Sequence, residues 1–202
     1  MGAPGNRWLA EAGGRASTYD HAWAELAAKG ENVHGEADLV EWLCRAGPYP
    51  RTSVLDAGCG TGRVAAELAR RGLDTAGVDL DPAMLERARS RAPELEWVLG
   101  DIAEVDLGRR FDVVVMAGNV MIFLEPGSEG RVVANLARHL AAGGVLVAGF
   151  ELQPGRLDLA TYDAHAAAAG LTLSGRWATW DRQPFTGGSY AVSAHEPVAG
   201  AR

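Results

Sequence analysis

Apolar and polar residues follow two rhythms along the chain, and the change comes near residue 171. Up to that point helical and strand patterns alternate. Tyr19, Trp23 and Leu26 share one side of a predicted helix over Thr18–Lys29, stopped by Gly30. Glu36–Ala46 predicts a second helix, ended by Gly47-Pro48. Thr52–Ala57 is a short apolar run before glycines and predicts a buried strand. Val64 and Leu68 mark a helix over Arg63–Arg71, with Gly72 as its stop. Thr75–Asp79 predicts the second strand, after which Asp81 caps a helix with Pro82 in its first turn. Leu95–Gly100 and Phe111–Ala117 predict strands three and four; Val113-Val114-Val115 requires burial on both faces. Val132, Val133, Leu136 and Leu140 form a helical face that Gly143-Gly144 is expected to end. Val145–Phe150 follows as a fifth buried strand, and Leu157–Ala169 as a last helix before Gly170.

The remainder alternates with period two. Leu171–Trp180 and Ser189–His195 predict two strands with no helix between them. Leu171/Leu173 and Tyr190/Val192/Ala194 point to single faces, and Pro184 and Gly187-Gly188 sit in the link. This is an antiparallel hairpin at the end of a parallel sheet. Alternating β and α units imply right-handed crossovers and an open, doubly wound α/β sheet. Such sheets bind ligands at the carboxyl ends of their strands.

The chain has 202 residues, enough for one domain with a small appendage. No apolar stretch approaches the length of a membrane span, and the start lacks the basic and apolar pattern of a secretory signal. The net charge of −7 disfavours non-specific nucleic-acid binding, which needs phosphate neutralisation. The two cysteines, Cys44 and Cys59, make neither a disulfide framework nor a thiolate metal site. A cytoplasmic protein without metal is expected.

Three groups of residues carry candidate chemistry. The first is Asp56-Ala57-Gly58-Cys59-Gly60-Thr61-Gly62, between a strand and a helix. Its glycines permit a tight turn and close approach of a ligand to the backbone. Arg63 stands where a dinucleotide fingerprint would place its third glycine. Asp56 is placed to hold an ammonium group. The second group is Asp79-Leu80-Asp81. Asp79 ends a strand, where a carboxylate accepts hydrogen bonds from ribose hydroxyls. Leu80 is placed to cover an adenine face, and Asp81 reads as a helix cap. The third is Gly100-Asp101-Ile102, where Asp101 either accepts from an adenine amino group or caps its loop.

Together these motifs resemble the class I S-adenosylmethionine (SAM) dependent methyltransferases of the small single-domain kind. Asp56 to Gly62 matches that family's first motif. Asp79, Asp101 and the strand Phe111-Asp112-Val113-Val114-Val115 match the next three. Leu140 to Leu146 resembles its helix–turn–strand, and the likeness is good over about residues 30 to 152. The resemblance implies a Rossmann-like seven-stranded sheet in the order 3-2-1-4-5-7-6, with strand 7 antiparallel and helices on both faces. It implies a helical cap in residues 1–35, a methyltransferase domain in 36–197 and a tail in 198–202.

By the same resemblance, Gly58 and Gly60, with Asp56, Cys59 and Gly62 around them, lie against the methionine part of the cofactor. Asp79 takes the ribose, and Asp101 and Ile102 the adenine. Residues 117–120, with Ala117 and Asn119, pass near the methyl group. Ala117-Gly118-Asn119-Val120 is not the Asn/Asp-Pro-Pro-aromatic run of enzymes that methylate nucleic-acid amino groups.

The expected activity is transfer of a methyl group to a small-molecule acceptor, leaving S-adenosylhomocysteine (SAH). In-line displacement relies on alignment, so no catalytic signature is required. A SAM-binding subunit without catalysis and a nicotinamide-dependent oxidoreductase are the competing readings. Tyr19 and Trp23 suit either an aromatic wall over the cofactor or core packing. His34 either touches cofactor or acceptor or bonds at a helix entry. Glu151 follows the fifth strand on the acceptor side. His165 is read as surface or packing, and Trp177, Trp180, Arg182 and Tyr190 either as structural residues of the hairpin or as shaping the acceptor site. His21, His139 and His195 are read as surface, and Arg87, Arg89 and Arg91 as a solvated face.

Overall fold

The computed structural model describes residues 6–11, 16–46 and 50–198, apart from the side chains of residues 10, 11 and 16–19. Two helices come first, α1 (Arg7–Glu11) and α2 (Ala16–Ala28), then α3 (Gly35–Ala46). The alternating units are β1 (Ser53–Ala57), α4 (Arg63–Arg70), β2 (Asp74–Asp79), α5 (Pro82–Arg91), β3 (Glu96–Leu99) and β4 (Phe111–Met116). After them come α6 (Val120–Phe123), α7 (Glu129–Arg138), β5 (Leu140–Glu151), α8 (Leu159–Ala168), β6 (Leu171–Trp177) and β7 (Tyr190–Pro197). The seven strands form one sheet in the order β3-β2-β1-β4-β5-β7-β6. The first five are parallel to one another, whereas β7 runs antiparallel to both β5 and β6. The expected order and the reversed last strand are therefore present.

The all-apolar strands work because both faces are covered. On one face Leu55, Val78, Val114, Leu146 and Phe150 pack with Val133, Leu136 and Tyr162 of α7 and α8. On the other, Val54, Val113, Val115, Val147 and Val192 pack with Leu39, Val40, Val64 and Leu68 of α3 and α4. Leu85 and Ala88 of α5 close a third cluster with Cys59 and Trp97. Each such aliphatic side chain, fully buried, contributes about 1.5–3 kcal/mol. Asp81 caps α5 as its sequence predicts, accepting from the backbone N–H of Ala83 and Met84. Among the described residues no helix is long and apolar enough to cross a membrane.

Four details differ from expectation. Helix α7 ends at Arg138, and β5 runs through Gly143-Gly144 instead of starting after them. A Cβ on Gly144 would lie 3.0–3.1 Å from the carbonyl oxygens of Ala141, Asp112 and Phe111, so the glycine is used for close strand approach, at a register shift between Phe111 and Val113. His139 and His195 are buried rather than on the surface. His139 accepts from the Leu107 N–H through Nε2, and His195 Nε2 lies 3.0 Å from Asp163 Oδ1. Strand β6 stops at Trp177, because the chain folds back there and Ala178 N–H donates to Gln183 O. Finally α1 and α6, five and four residues long, are too short to carry a helical period.

Candidate active site

The loop between β1 and α4 turns at the carboxyl end of the sheet. Gly58 and Cys59 donate their N–H groups to Val78 O of β2, at 2.8 and 3.0 Å. This pins the loop beside the neighbouring strand. Gly58 and Gly60 both have positive φ, of 78° and 55°. A Cβ on Gly58 would collide with Val120 Cγ2 at 2.7 Å, whereas one on Gly60 would meet nothing within 4 Å. Gly58 is thus required by packing, and Gly60 by backbone conformation, with its open side available to a ligand.

Two carboxylates flank this loop from adjacent strands. Asp79, at the end of β2, accepts from Gly60 N–H through Oδ2 and from Asp81 N–H through Oδ1, both at 2.8 Å. Burial pushes its carboxyl up, and those two N–H groups pull it down. Asp56, in β1, is 1% exposed. Its Oδ2 accepts from Ala65 N–H at 3.2 Å, while Oδ1 is buried with no hydrogen-bond partner among the described residues. Burial pushes this carboxyl up to about 7, against the Ala65 N–H and the charge of Arg63. Burial likewise holds the Cys59 thiol well above its usual range, so it stays protonated.

A cleft of about 800 Å³, open solvent at its mouth included, joins these groups. Of the sequence candidates, Asp56, Gly58, Cys59, Gly60, Asp79, Leu80, Ile102 and Ala117 line it. Gly62 backs the loop, where a Cβ would strike Trp97 at 2.5 Å. Asp101 is exposed outside the lining, and its Oδ1 accepts from Ala103 N–H at 2.8 Å. Asn119 accepts from Glu151 N–H at 2.9 Å, tying the end of β4 to the end of β5. Glu151 itself accepts from Gln153 Nε2. His34 marks the entry to α3, with its N–H on Asn32 Oδ1 and its carbonyl taking Asp38 N–H. The Trp23 ring carries the Arg63 guanidinium, 3.7 Å above its centroid. The side chain of Tyr19 lies outside the described residues.

Three lining residues stand out that sequence reasoning missed as site residues: Trp8, Arg63 and Phe123. Arg63 bonds Val33 O and both carboxylate oxygens of Glu36, in a nearly fully buried pair. Its only signal was its place after the glycines. Trp8 and Phe123 meet edge to face, with ring centroids 5.4 Å apart. They lie in α1 and α6, where no period was readable.

The comparisons with known proteins agree with this geometry. Residues 54–144 match the methyltransferase domain family. The solved structure of a TehB-like SAM-dependent methyltransferase from Corynebacterium glutamicum is 35% identical, with a TM-score of 0.80 over 91% of this chain and 97% of that one. The chain belongs to the SAM-dependent methyltransferases. A dTDP-3-amino-3,4,6-trideoxy-alpha-D-glucopyranose N,N-dimethyltransferase of Streptomyces venezuelae is 36% identical over 59% of this chain and 51% of its own length. A magnesium-protoporphyrin O-methyltransferase of Rhodobacter capsulatus is 39% identical over 60% of each chain. The chain thus spans about half to three-fifths of the length of these curated relatives. Its cleft fits the family's cofactor. Asp56 Oδ1, without a partner among the described residues, suits an ammonium group, Gly60 leaves room beside the backbone, and the Asp79 carboxylate stands beside the loop at the end of the next strand.

Proposed function

We propose that this chain catalyses methyl transfer from SAM to a small-molecule acceptor. The observation that carries the proposal is the pair Asp56 and Asp79, on adjacent strands either side of the glycine loop and facing one cleft. When bound, SAM supplies a methyl group on a positively charged sulfur, which is a good leaving group. Asp56 holds the ammonium of its amino-acid half, and Asp79 the ribose hydroxyls. Leu80 and Ile102 give apolar surface to the adenine, and Asp101 stands next to it for the amino group. Ala117 and Gly118 pass beside the reacting end, while Trp8 and Phe123 roof the cleft. Alignment of acceptor and methyl group inside the cleft can supply about 7–11 kcal/mol of the barrier.

The remaining assignments extend the same reading. The described part of residues 1–35 acts as a cap over the cofactor and 36–197 as the transferase domain; the expected tail beyond Val198 lies outside the described residues. Arg63 orders the loop by tying it to α3 through Glu36 and to α2 through Trp23. Support for a small acceptor comes from the amino-sugar and porphyrin relatives and from the net charge of −7. The buried free thiols of Cys44 and Cys59 suit the reducing cytoplasm.

The test is calorimetric titration with SAH, using NAD as the comparison, on wild type and Asp79→Ala. Micromolar SAH binding, no NAD binding and at least tenfold weaker SAH binding by the variant are expected. Binding of NAD instead, or unchanged SAH affinity in Asp79→Ala, overturns the cofactor reading. Turnover of an added acceptor then separates an enzyme from a binding subunit.

A further inference from the structure

Helix α1 contributes Trp8 to the lining of the cleft, and this tryptophan is held at both ends. The Trp8 indole N–H donates to Asp81 Oδ2 at 3.0 Å. The ring meets Phe123 of α6 edge to face, at 86°. Beside it, Arg7 Nη1 reaches Ile122 O at 3.4 Å. Asp81 is also bonded inward. Its backbone N–H donates to Asp79 Oδ1, and Asp79 Oδ2 takes the N–H of Gly60. One line of hydrogen bonds therefore runs from the glycine loop through Asp79 and Asp81 to the strap.

We propose that Trp8 is a positioning residue that latches α1 over the cleft, and that this latch is coupled to cofactor occupancy through Asp79 and Asp81. The proposal rests on the SAM reading of the site. A ligand that hydrogen-bonds Asp79 restrains the carboxylate that holds Asp81, and Asp81 presents the acceptor for Trp8. Coupling between two sites is reciprocal, so a closed strap retains the ligand in the same measure as the ligand retains the strap. Phe123 supplies the far side of the closure without a polar contact.

The variant Trp8→Phe keeps a ring against Phe123 and deletes only the N–H donor. SAH release is followed by stopped flow, SAH affinity by calorimetry and ligand-free stability by urea denaturation. A charge-assisted hydrogen bond lost from the closed form should speed release by about tenfold and weaken affinity by a similar factor. Ligand-free stability should fall by less than the binding free energy does, because Asp81 still caps α5 through Oδ1 and only the ligand-linked part of the hydrogen bond counts toward binding. An unchanged release rate overturns the latch while leaving the SAM reading intact. So does faster release that comes with an equal loss of ligand-free stability, since Trp8 is then a fold contact only. Failure of the wild type to bind SAH overturns both.

Discussion

Replacing Asp56 with Asn should make the ligand-free protein more stable and the ligand site worse. Asp56 is buried, and one of its oxygens has no partner among the described residues. The folded protein therefore favours the protonated carboxyl, with a pKa of about 7. The unfolded chain titrates near the ordinary value, about 3.9. Between pH 4 and 7 the unfolded state has already released this proton while the folded state keeps it. Stability from this group is complete below pH 4 and is lost as pH rises through that window. About three pH units at 1.36 kcal/mol each make the loss about 4 kcal/mol by pH 8. Asn has nearly the same shape, still accepts from Ala65 N–H and carries no charge to desolvate. Urea denaturation should show wild type and Asp56→Asn equal within about 1 kcal/mol at pH 4, and the variant ahead by about 2–4 kcal/mol at pH 8. SAH affinity should move the other way. A hydrogen bond to a charged group contributes about 1.5–3 kcal/mol, so binding at pH 8 should weaken by roughly 10- to 150-fold. The reasoning is refuted if the variant keeps the wild-type slope of stability against pH, or if it binds SAH as well as wild type.

Two further outcomes follow from the packing. Gly58→Ala places a methyl 2.7 Å from Val120 Cγ2 at a residue with φ of 78°. The variant should lose about 2–4 kcal/mol in urea denaturation, and Val120→Ala in the same chain should restore the steric share; a cost under about 0.5 kcal/mol would show that α6 yields freely. His195 is buried against Asp163, and burial lowers its pKa despite that carboxylate. The neutral ring is favoured in the folded state, so its stabilisation is present above about pH 6.5 and is lost on acidification. Wild type should therefore lose stability relative to His195→Gln between pH 7.5 and 5 in thermal or urea melts, and parallel curves would contradict this.

The legible parts of the fold were those with a long period or a strong local rule. Val113-Val114-Val115 announced a strand covered on both sides, and Asp81-Pro82 announced a helix start. The glycine loop with Asp56 and Asp79 announced one wall of the cleft, because a tight turn between a buried strand and a helix leaves a local pattern. The opposite wall left none. Trp8 and Phe123 lie in helices of five and four residues, and they meet only through tertiary contact between distant segments. Trp23 was visible as an aromatic, but its partner is Arg63 of the loop, a pairing that no spacing encodes. Gly143-Gly144 misled for a related reason. Glycine ends helices, yet it also permits close strand approach, and only the register of β4 against β5 separates the two uses.

The reversed direction of β7 has a practical consequence. Tyr190 pairs with Glu151 at the end of β5 that faces the cleft, whereas Pro197 pairs with Leu171 at the far end of the sheet. The polypeptide therefore leaves its last strand pointing away from the ligand mouth. A tether, affinity handle or fusion partner joined beyond β7 would anchor the molecule with its cleft turned outward to the solution, whereas one joined ahead of α1 would pull directly on the strap.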